Sequence, residues 1–127
     1  MKIIISLLLF LNLAFGATLK DVELFEKALK MAKVQNKRVL MFMYSEYCPW
    51  CEKMKETTLS DKKVINYINS RYIFLKMDKD MGEYPEELEP RFIPTTYVID
   101  PKTRESIQDI YGYKSPKNFI KEFWDDE

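Results

Sequence analysis

The chain has 127 residues, a length typical of a single domain, and 46% of them are hydrophobic, which is enough for a globular core. Its 20 basic residues balance its 20 acidic residues, so the composition gives no basis for a nucleic-acid partner or an anionic surface as ligand. The chain has no histidine, which removes the commonest general base and the commonest transition-metal ligand.

Residues 1–16 have the features of a signal peptide. Lys2 precedes an apolar stretch that is shorter than the roughly 20 residues needed to span a bilayer, and Ala14 and Gly16 form a small-x-small cleavage pattern. We expect cleavage between Gly16 and Ala17, which leaves a mature domain of residues 17–127 in the periplasm or secreted. An uncleaved membrane anchor is the alternative. Export would place the cysteines where disulfides persist.

The segment after residue 17 predicts a helix and then a buried strand. Four apolar residues fall on one helical stripe: Val22, Phe25, Leu29 and Ala32. We expect the helix to end near Asn36, a residue that is tolerated at helix C-caps. "RVLMFMYS" is a nearly continuous apolar run, which is typical of a strand covered on both faces.

A second helix and a second strand follow the cysteine pair. We expect Ser60 to be the N-cap of this helix, with Leu59 and Val64 at the positions of a hydrophobic staple. "YIFLKMD" is the next strand. The polar, acidic stretch "EYPEELEPRF" has room for a short helix.

The last third of the chain predicts two strands and a helix. "TTYVID" and "SIQDIYGY" are close enough to form a hairpin. Ser115 and Pro116 supply an N-cap and a proline at the first position of a helix that Ile120 and Phe123 or Trp124 would dock. The element order predicts an α/β fold with a mixed central sheet of four to five strands and helices on both faces.

The stretch "YCPWC" holds the only two cysteines, Cys48 and Cys51, directly after the first predicted strand. At a helix N-terminus, unpaired amides and a partial positive charge favour the thiolate, the attacking species in disulfide exchange. Cys48 is therefore the candidate nucleophile, and Cys51, one turn later, is the candidate resolving cysteine. Pro49 is tolerated in the first turn because no amide bond is lost there.

Other interpretations of the pair remain open. A structural zinc site needs four ligands, so two cysteines without histidine would require carboxylates. A structural disulfide that closes so short a loop gains little chain entropy, and two inert buried thiols are a further alternative. A Cys-x-x-Cys in a strand–helix–strand context favours redox activity, and we expect neither a bound metal nor a cofactor.

Pro94, in "RFIPTTYVID", directly precedes a predicted strand. With the cysteine motif and this proline in this order, the sequence resembles the thioredoxin superfamily from Leu19 to about Trp124, and most of all its exported thioredoxin-related members. Further positions of that pattern are Lys53-Met54, Asp61, Val64, Gly112-Tyr113 and Ser115-Pro116.

The resemblance implies a thioredoxin-like fold with a substrate site around the dithiol. Pro94 would be cis, face the dithiol and keep metal off the thiols, and the backbone of Ile93 would pair with an extended substrate segment. Tyr47 and Trp50 are large aromatic residues that flank the cysteines. We expect them to contact substrate together with Pro49, and mere packing is the alternative.

Two positions depart from thioredoxins proper. Their buried aspartate, six residues before the first cysteine, is Phe42 here, and the lysine that accompanies it is replaced by Phe74. Since that aspartate is held to help deprotonate the resolving cysteine, its absence leaves the activation of Cys51 open. Glu46 and Glu52 flank the motif as water-mediated alternatives, or as merely solvated side chains.

The leading hypothesis is an exported, monomeric thiol–disulfide oxidoreductase that reduces or exchanges disulfides in secreted or periplasmic proteins and receives electrons from a membrane donor. A disulfide-donating oxidase is the runner-up. The alternative from a different class is a dithiol chaperone for a metal or for apocytochrome thiols, although related copper chaperones use a distant histidine. A redox-inactive adaptor is disfavoured because both cysteines are present.

Overall fold

The computed structural model describes residues 18–123, and within them five strands form one mixed sheet. The elements in chain order are β1 (Asp21–Val22), α1 (Phe25–Gln35), β2 (Arg38–Tyr44), α2 (Pro49–Glu56), α3 (Lys62–Arg71), β3 (Tyr72–Asp78), a short 3-10 helix (Glu86–Leu88), β4 (Thr95–Ile99), β5 (Ser106–Tyr111) and α4 (Pro116–Lys121). The strand order is β1-β3-β2-β4-β5, so the predicted mixed sheet is confirmed.

Strand β2 is the centre of the sheet. It runs parallel to β3 and antiparallel to β4, and the five residues in its middle are fully buried. This burial explains the unbroken apolar run, because a central strand has a covered face on each side. Met43 lies opposite Thr95, so the carboxyl end of β2 is next to the amino end of β4.

Helices cover both faces of the sheet, as the sequence predicts. On one face α1 packs against the central strands; its buried contributors are Phe25, Ala28, Leu29 and Ala32, which meet Met41, Met43, Tyr97 and Ile99. On the other face α2, α3 and α4 bury Cys51, Met54, Val64, Tyr67, Ile68 and Phe119 against Leu40, Phe42 and Phe74. The cysteine pair therefore lies above the three-helix face.

Two predicted helix ends are confirmed. Asn36 ends α1 in the left-handed conformation with φ of 53°, and its amide bonds back to the helix. Ser115 caps α4 through its Oγ, which accepts the amide of Asn118 at 3.4 Å, and Pro116 holds the first position. Phe123 is buried and docks α4, together with Phe119, which the sequence argument left out.

Two boundary predictions are wrong. Asp61, not Ser60, caps α3, because its Oδ1 accepts the amides of Lys63 and Val64 at 3.0 and 3.1 Å. Ser60 instead donates its hydroxyl to the carbonyl of Lys55 at 2.5 Å and lies in the turn that follows α2. The shifted cap also moves the staple positions off Leu59 and Val64, although both side chains are buried in one cluster.

Val22 is not part of the first helix. It pairs with Leu75 in the short parallel ladder between β1 and β3, and α1 begins only at Phe25. Val22 has a helical spacing from Phe25, but its pairing with β3 makes it part of a strand.

The predicted signal peptide, its cleavage site and Trp124 lie outside the described residues. Within residues 18–123, none of the helices has the length and apolar character needed to traverse a bilayer.

Two neighbouring threonines in β4 differ in their hydrogen bonding, although both are fully buried. Thr95 donates its hydroxyl to the carbonyl of Phe92 at 2.5 Å. The hydroxyl of Thr96 has no hydrogen-bond partner among residues 18–123. Thr96 pairs with Phe42 in the sheet, so this hydroxyl lies in an apolar layer.

Replacing Thr96→Val removes an unsatisfied polar atom and nearly keeps the side-chain shape. We expect the free energy of unfolding to rise by about 1 kcal/mol, whereas the matched change Thr95→Val should lower it by about 1 kcal/mol because a buried bond is lost. Urea denaturation of the oxidised variants and parent measures both. A loss of stability in Thr96→Val would contradict the assignment.

Candidate active site

The loop after β2 places the first cysteine at the N-terminus of α2. Cys48 has extended backbone angles, φ −120° and ψ 101°, and is the N-cap of the helix, with Pro49 in the first turn. Its Sγ accepts the amide hydrogen of Cys51 at 3.2 Å. A cysteine sulfur therefore takes the part that a serine or aspartate oxygen usually plays at a helix start.

The two cysteines form a disulfide. Their Cα atoms are 5.2 Å apart, a separation that a disulfide spans without movement of the backbone. The two residues differ in exposure: Cys48 is 7% exposed, and Cys51 is 0% exposed. Cys48 is therefore the more accessible of the two cysteines.

The loop before β4 approaches the same edge of the sheet. The Ile93–Pro94 peptide bond is cis, and Ile93 is half-buried against the cluster that contains both cysteines. The carbonyl of Pro94 accepts the amide hydrogen of Gly112 at 2.8 Å. Gly112 has φ of 76°, a conformation that favours glycine, so the chain can turn there out of β5.

Exposed aromatic residues surround this edge. Tyr47 is 91% exposed and Trp50 is 56% exposed, as expected for side chains that meet a partner. The structure adds two that sequence reasoning missed, Phe92 at 63% and Tyr111 at 54%, whose rings meet edge to face at 6.1 Å. Their positions in the sequence could have marked them as site residues, because Phe92 lies two residues before Pro94 and Tyr111 directly precedes Gly112.

The floor beneath the disulfide is apolar. Phe42 and Phe74 are buried in the same cluster as Cys51, and the ring of Phe42 stacks on that of Tyr44 at 6.2 Å. Among residues 18–123 no aspartate or glutamate is buried. Burial, ahead of repulsion by Asp78, raises the pKa of the Tyr44 phenol, so this group stays neutral at physiological pH.

Charged side chains near the pair lie at the surface. Glu46 and Glu52 are exposed, and Glu52 forms an ion pair with Lys55 at 3.3 Å. Lys55 also lies 3.8 Å from the centroid of the Tyr44 ring. Within residues 18–123, cysteine, aspartate and glutamate side chains form no group of three or more that could hold a metal ion.

Solved structures of similar fold include a thioredoxin from Thermus thermophilus and the DsbH oxidoreductase. The thioredoxin has a TM-score of 0.70 and 25% identity, over 83% of this chain and 84% of that one. The DsbH oxidoreductase has a TM-score of 0.69 and 17% identity, over 84% of this chain and 82% of that one, which shows the shared fold.

A curated relative and a family model complete the comparison. Anterior gradient protein 1 of Xenopus laevis is 22% identical over 106 residues, which are 82% of this chain and 58% of the relative, so the chain spans a little over half of that protein's length. The family model described as a thioredoxin-like domain matches residues 25–125. With its sheet order, its Cys-x-x-Cys disulfide and this match, the chain belongs to the thioredoxin-like domain family.

Proposed function

We propose that this protein is an exported thiol–disulfide oxidoreductase that reduces or exchanges disulfides in secreted or periplasmic proteins. One observation carries the proposal: the sulfur of Cys48 caps α2 and accepts the amide of Cys51 at 3.2 Å, next to the sulfur with which it forms a disulfide. A helix N-terminus stabilises a thiolate at this atom through its amides and its partial positive charge.

The proposed reaction moves two electrons to the substrate. In the reduced protein the Cys48 thiolate attacks one sulfur of a substrate disulfide, and the other substrate sulfur leaves as a thiolate. The thiolate of Cys51 then attacks Cys48 and releases the second substrate sulfur, which forms the Cys48–Cys51 disulfide. A membrane protein that donates electrons would restore the dithiol.

The exposed side chains around the pair support a polypeptide as substrate. We assign contact with it to Tyr47, Pro49 and Trp50, and pairing with its backbone to Ile93, ahead of Pro94. Phe92 and Tyr111 extend this apolar surface beyond the residues that the sequence suggested. Aromatic side chains of this kind bind an extended chain without requiring one particular sequence.

The apolar residues beneath the disulfide support different reaction rates for the two sulfurs. Cys51 is fully buried with Phe42 and Phe74, and apolar surroundings disfavour a charged thiolate. We therefore propose that release by Cys51 is slower than attack by Cys48, and that exposed Glu46 or Glu52 takes up the proton through water.

A disulfide-donating oxidase is the second candidate, and the same N-cap favours it. An interaction that stabilises the Cys48 thiolate stabilises the reduced form and makes the disulfide more oxidising. The reduction potential against glutathione separates the two directions. A value near that of thioredoxin, about −270 mV, supports a reductase, and a value near about −120 mV supports an oxidase.

Alkylation of the reduced protein tests the roles of the two sulfurs. We expect iodoacetamide to label Cys48 roughly an order of magnitude faster than Cys51, because only Cys48 lies at the free helix start. Peptide mass spectrometry of quenched time points measures the rates, and the variants Cys48→Ser and Cys51→Ser serve as single-thiol controls. Equal rates, or faster labelling of Cys51, would reverse the assignment.

Trapping of partners tests disulfide exchange. The change Cys51→Ser removes the resolving sulfur and spares the nucleophile, so mixed disulfides with partner proteins should accumulate. Non-reducing gels of cell extracts detect these adducts, which dithiothreitol should abolish, and Cys48→Ser is the matched control that should form none. A folded Cys51→Ser protein without adducts would make a metal-handling dithiol the better account.

Export is tested by the mass of the protein from the producing cell. Cleavage after Gly16 should give an intact mass that starts at Ala17, since the small residues Ala14 and Gly16 fit the signal-peptidase site. The variant Ala14→Leu should retain the leader and serves as the control. A parent protein that keeps Met1 would indicate an anchored form.

A further inference from the structure

Lys53 packs over two neighbouring aromatic rings near the cysteine pair. The ring centroids of Trp50 and Tyr113 are 5.6 Å apart and tilted by 42°. The Nζ of Lys53 is 4.9 Å from each centroid, within the range of a cation–π contact. Trp50 thus contacts a cation from its own helix, three residues along, and a ring from the distant segment after β5.

Lys53 differs from the other lysine of α2. Within residues 18–123 Lys53 forms no ion pair, whereas Lys55 pairs with Glu52 at 3.3 Å and lies over the Tyr44 ring. The charge of Lys53 is therefore directed to the two rings and not to a carboxylate of the described chain. Lys55 offers a matched control, since it carries the same charge on the same short helix.

The segment that carries Tyr113 is fixed at both ends. The hydroxyl of Tyr113 is 3.2 Å from Oγ1 of Thr57, which also donates to the carbonyl of Lys53 at 2.7 Å. Thr58 donates its hydroxyl to the carbonyl of Lys114. On the other side, the amide of Gly112 bonds to the carbonyl of Pro94.

We propose that Lys53 and Tyr113 are positioning residues that hold the Trp50 ring as a fixed wall of the substrate groove; Trp50, Lys53 and Tyr113 together are the Trp50 clamp. Gly112, next to Tyr113, is bonded to Pro94, so the clamp is also linked to the loop before β4. The inference rests on the proposed function, and it assigns a role to "GYKSP" and to Lys53 that neither the fold nor the cysteine chemistry requires.

An ordered ring lowers the entropy lost when a polypeptide binds. Without the clamp, a half-exposed Trp50 samples several rotamers, and each substrate molecule must order it. Loss of the clamp should therefore raise the KM for a protein disulfide about fivefold, the factor expected from two cation–π contacts at an exposed site. The kcat should change by less than about twofold, since the reacting sulfurs are untouched.

The test uses the full mature protein with Trp124→Phe, so that Trp50 is its only tryptophan. The variants are Lys53→Met and Tyr113→Leu, which break the clamp, and Lys53→Arg and Tyr113→Phe, which retain a cation or a ring. Lys55→Met is the control for loss of charge in the mobility measurement alone, because Lys55 pairs with Glu52. Time-resolved fluorescence anisotropy reports the mobility of Trp50, and insulin reduction with dithiothreitol as donor gives KM and kcat.

We expect Lys53→Met and Tyr113→Leu to increase the fast, local component of the anisotropy decay and to raise KM. Lys53→Arg and Tyr113→Phe should resemble the parent in both measurements, and Lys55→Met should resemble the parent in Trp50 mobility. The proposal is overturned if Lys53→Met matches Lys55→Met in Trp50 mobility, or if it lowers kcat and leaves KM unchanged. A parent protein that cannot reduce insulin would count against the proposed function alone, because the anisotropy comparison still decides the clamp.

Discussion

The antiparallel pairing of β2 with β4 is the interaction on which the site depends. Met43 lies opposite Thr95, so the loop that follows β2 and the loop that precedes β4 meet at one edge of the sheet. That edge receives Cys48 from one loop and Pro94 from the other. A slip by one residue would exchange the two faces of the strand and move Phe42 away from the helices that carry the cysteines.

The sulfur of Cys48 has two tasks that rest on the same geometry. It satisfies an amide at the start of α2, and this amide and the helix dipole are what favour its charged form. In the proposed reaction, structural capping and activation of the thiolate therefore depend on the same contact. The partner sulfur has the opposite environment, because Cys51 points into the apolar layer of Phe42 and Phe74.

This apolar layer replaces a buried charge pair with aromatic packing. A carboxylate beneath the disulfide would need desolvation and a partner, whereas Phe42 and Phe74 gain free energy from burial. This packing leaves Cys51 without a buried proton acceptor, because no aspartate or glutamate is buried among the described residues. In the proposed reaction, an exposed carboxylate, Glu46 or Glu52, takes up the Cys51 proton through water.

Contacts between distant segments shape the surface around the cysteine pair. Thr57 meets Tyr113 across 56 positions of the chain, and Lys53 reaches the same ring from α2. Phe92 and Tyr111 likewise meet only because the hairpin of β4 and β5 returns to the Pro94 loop. These contacts surround the pair of cysteines with a defined set of aromatic rings.

The sequence by itself determined the features that depend on near neighbours. The apolar run of β2, the end of α1 at Asn36 and the start of α4 at Ser115 follow from burial pattern and capping rules. The cysteine spacing and the proline before β4 likewise sufficed to indicate the fold and the two loops of the site. Where neighbouring residues were equally suitable, local rules failed: Ser60 and Asp61 can both cap a helix, and the path of the chain after α2 selected Asp61.

Only the tertiary structure decided the features that depend on strand register and on packing between distant segments. Val22 satisfies a helical spacing, yet its ladder with Leu75 makes it part of a strand. The contact of Phe92 with Tyr111, the contact of Lys53 with the Tyr113 ring, and the Thr96 hydroxyl without a partner among residues 18–123 leave no periodic trace in the sequence. The physical reason is that periodicity and caps report on residues within a turn or two, whereas these contacts form only after the sheet has fixed which distant residues meet.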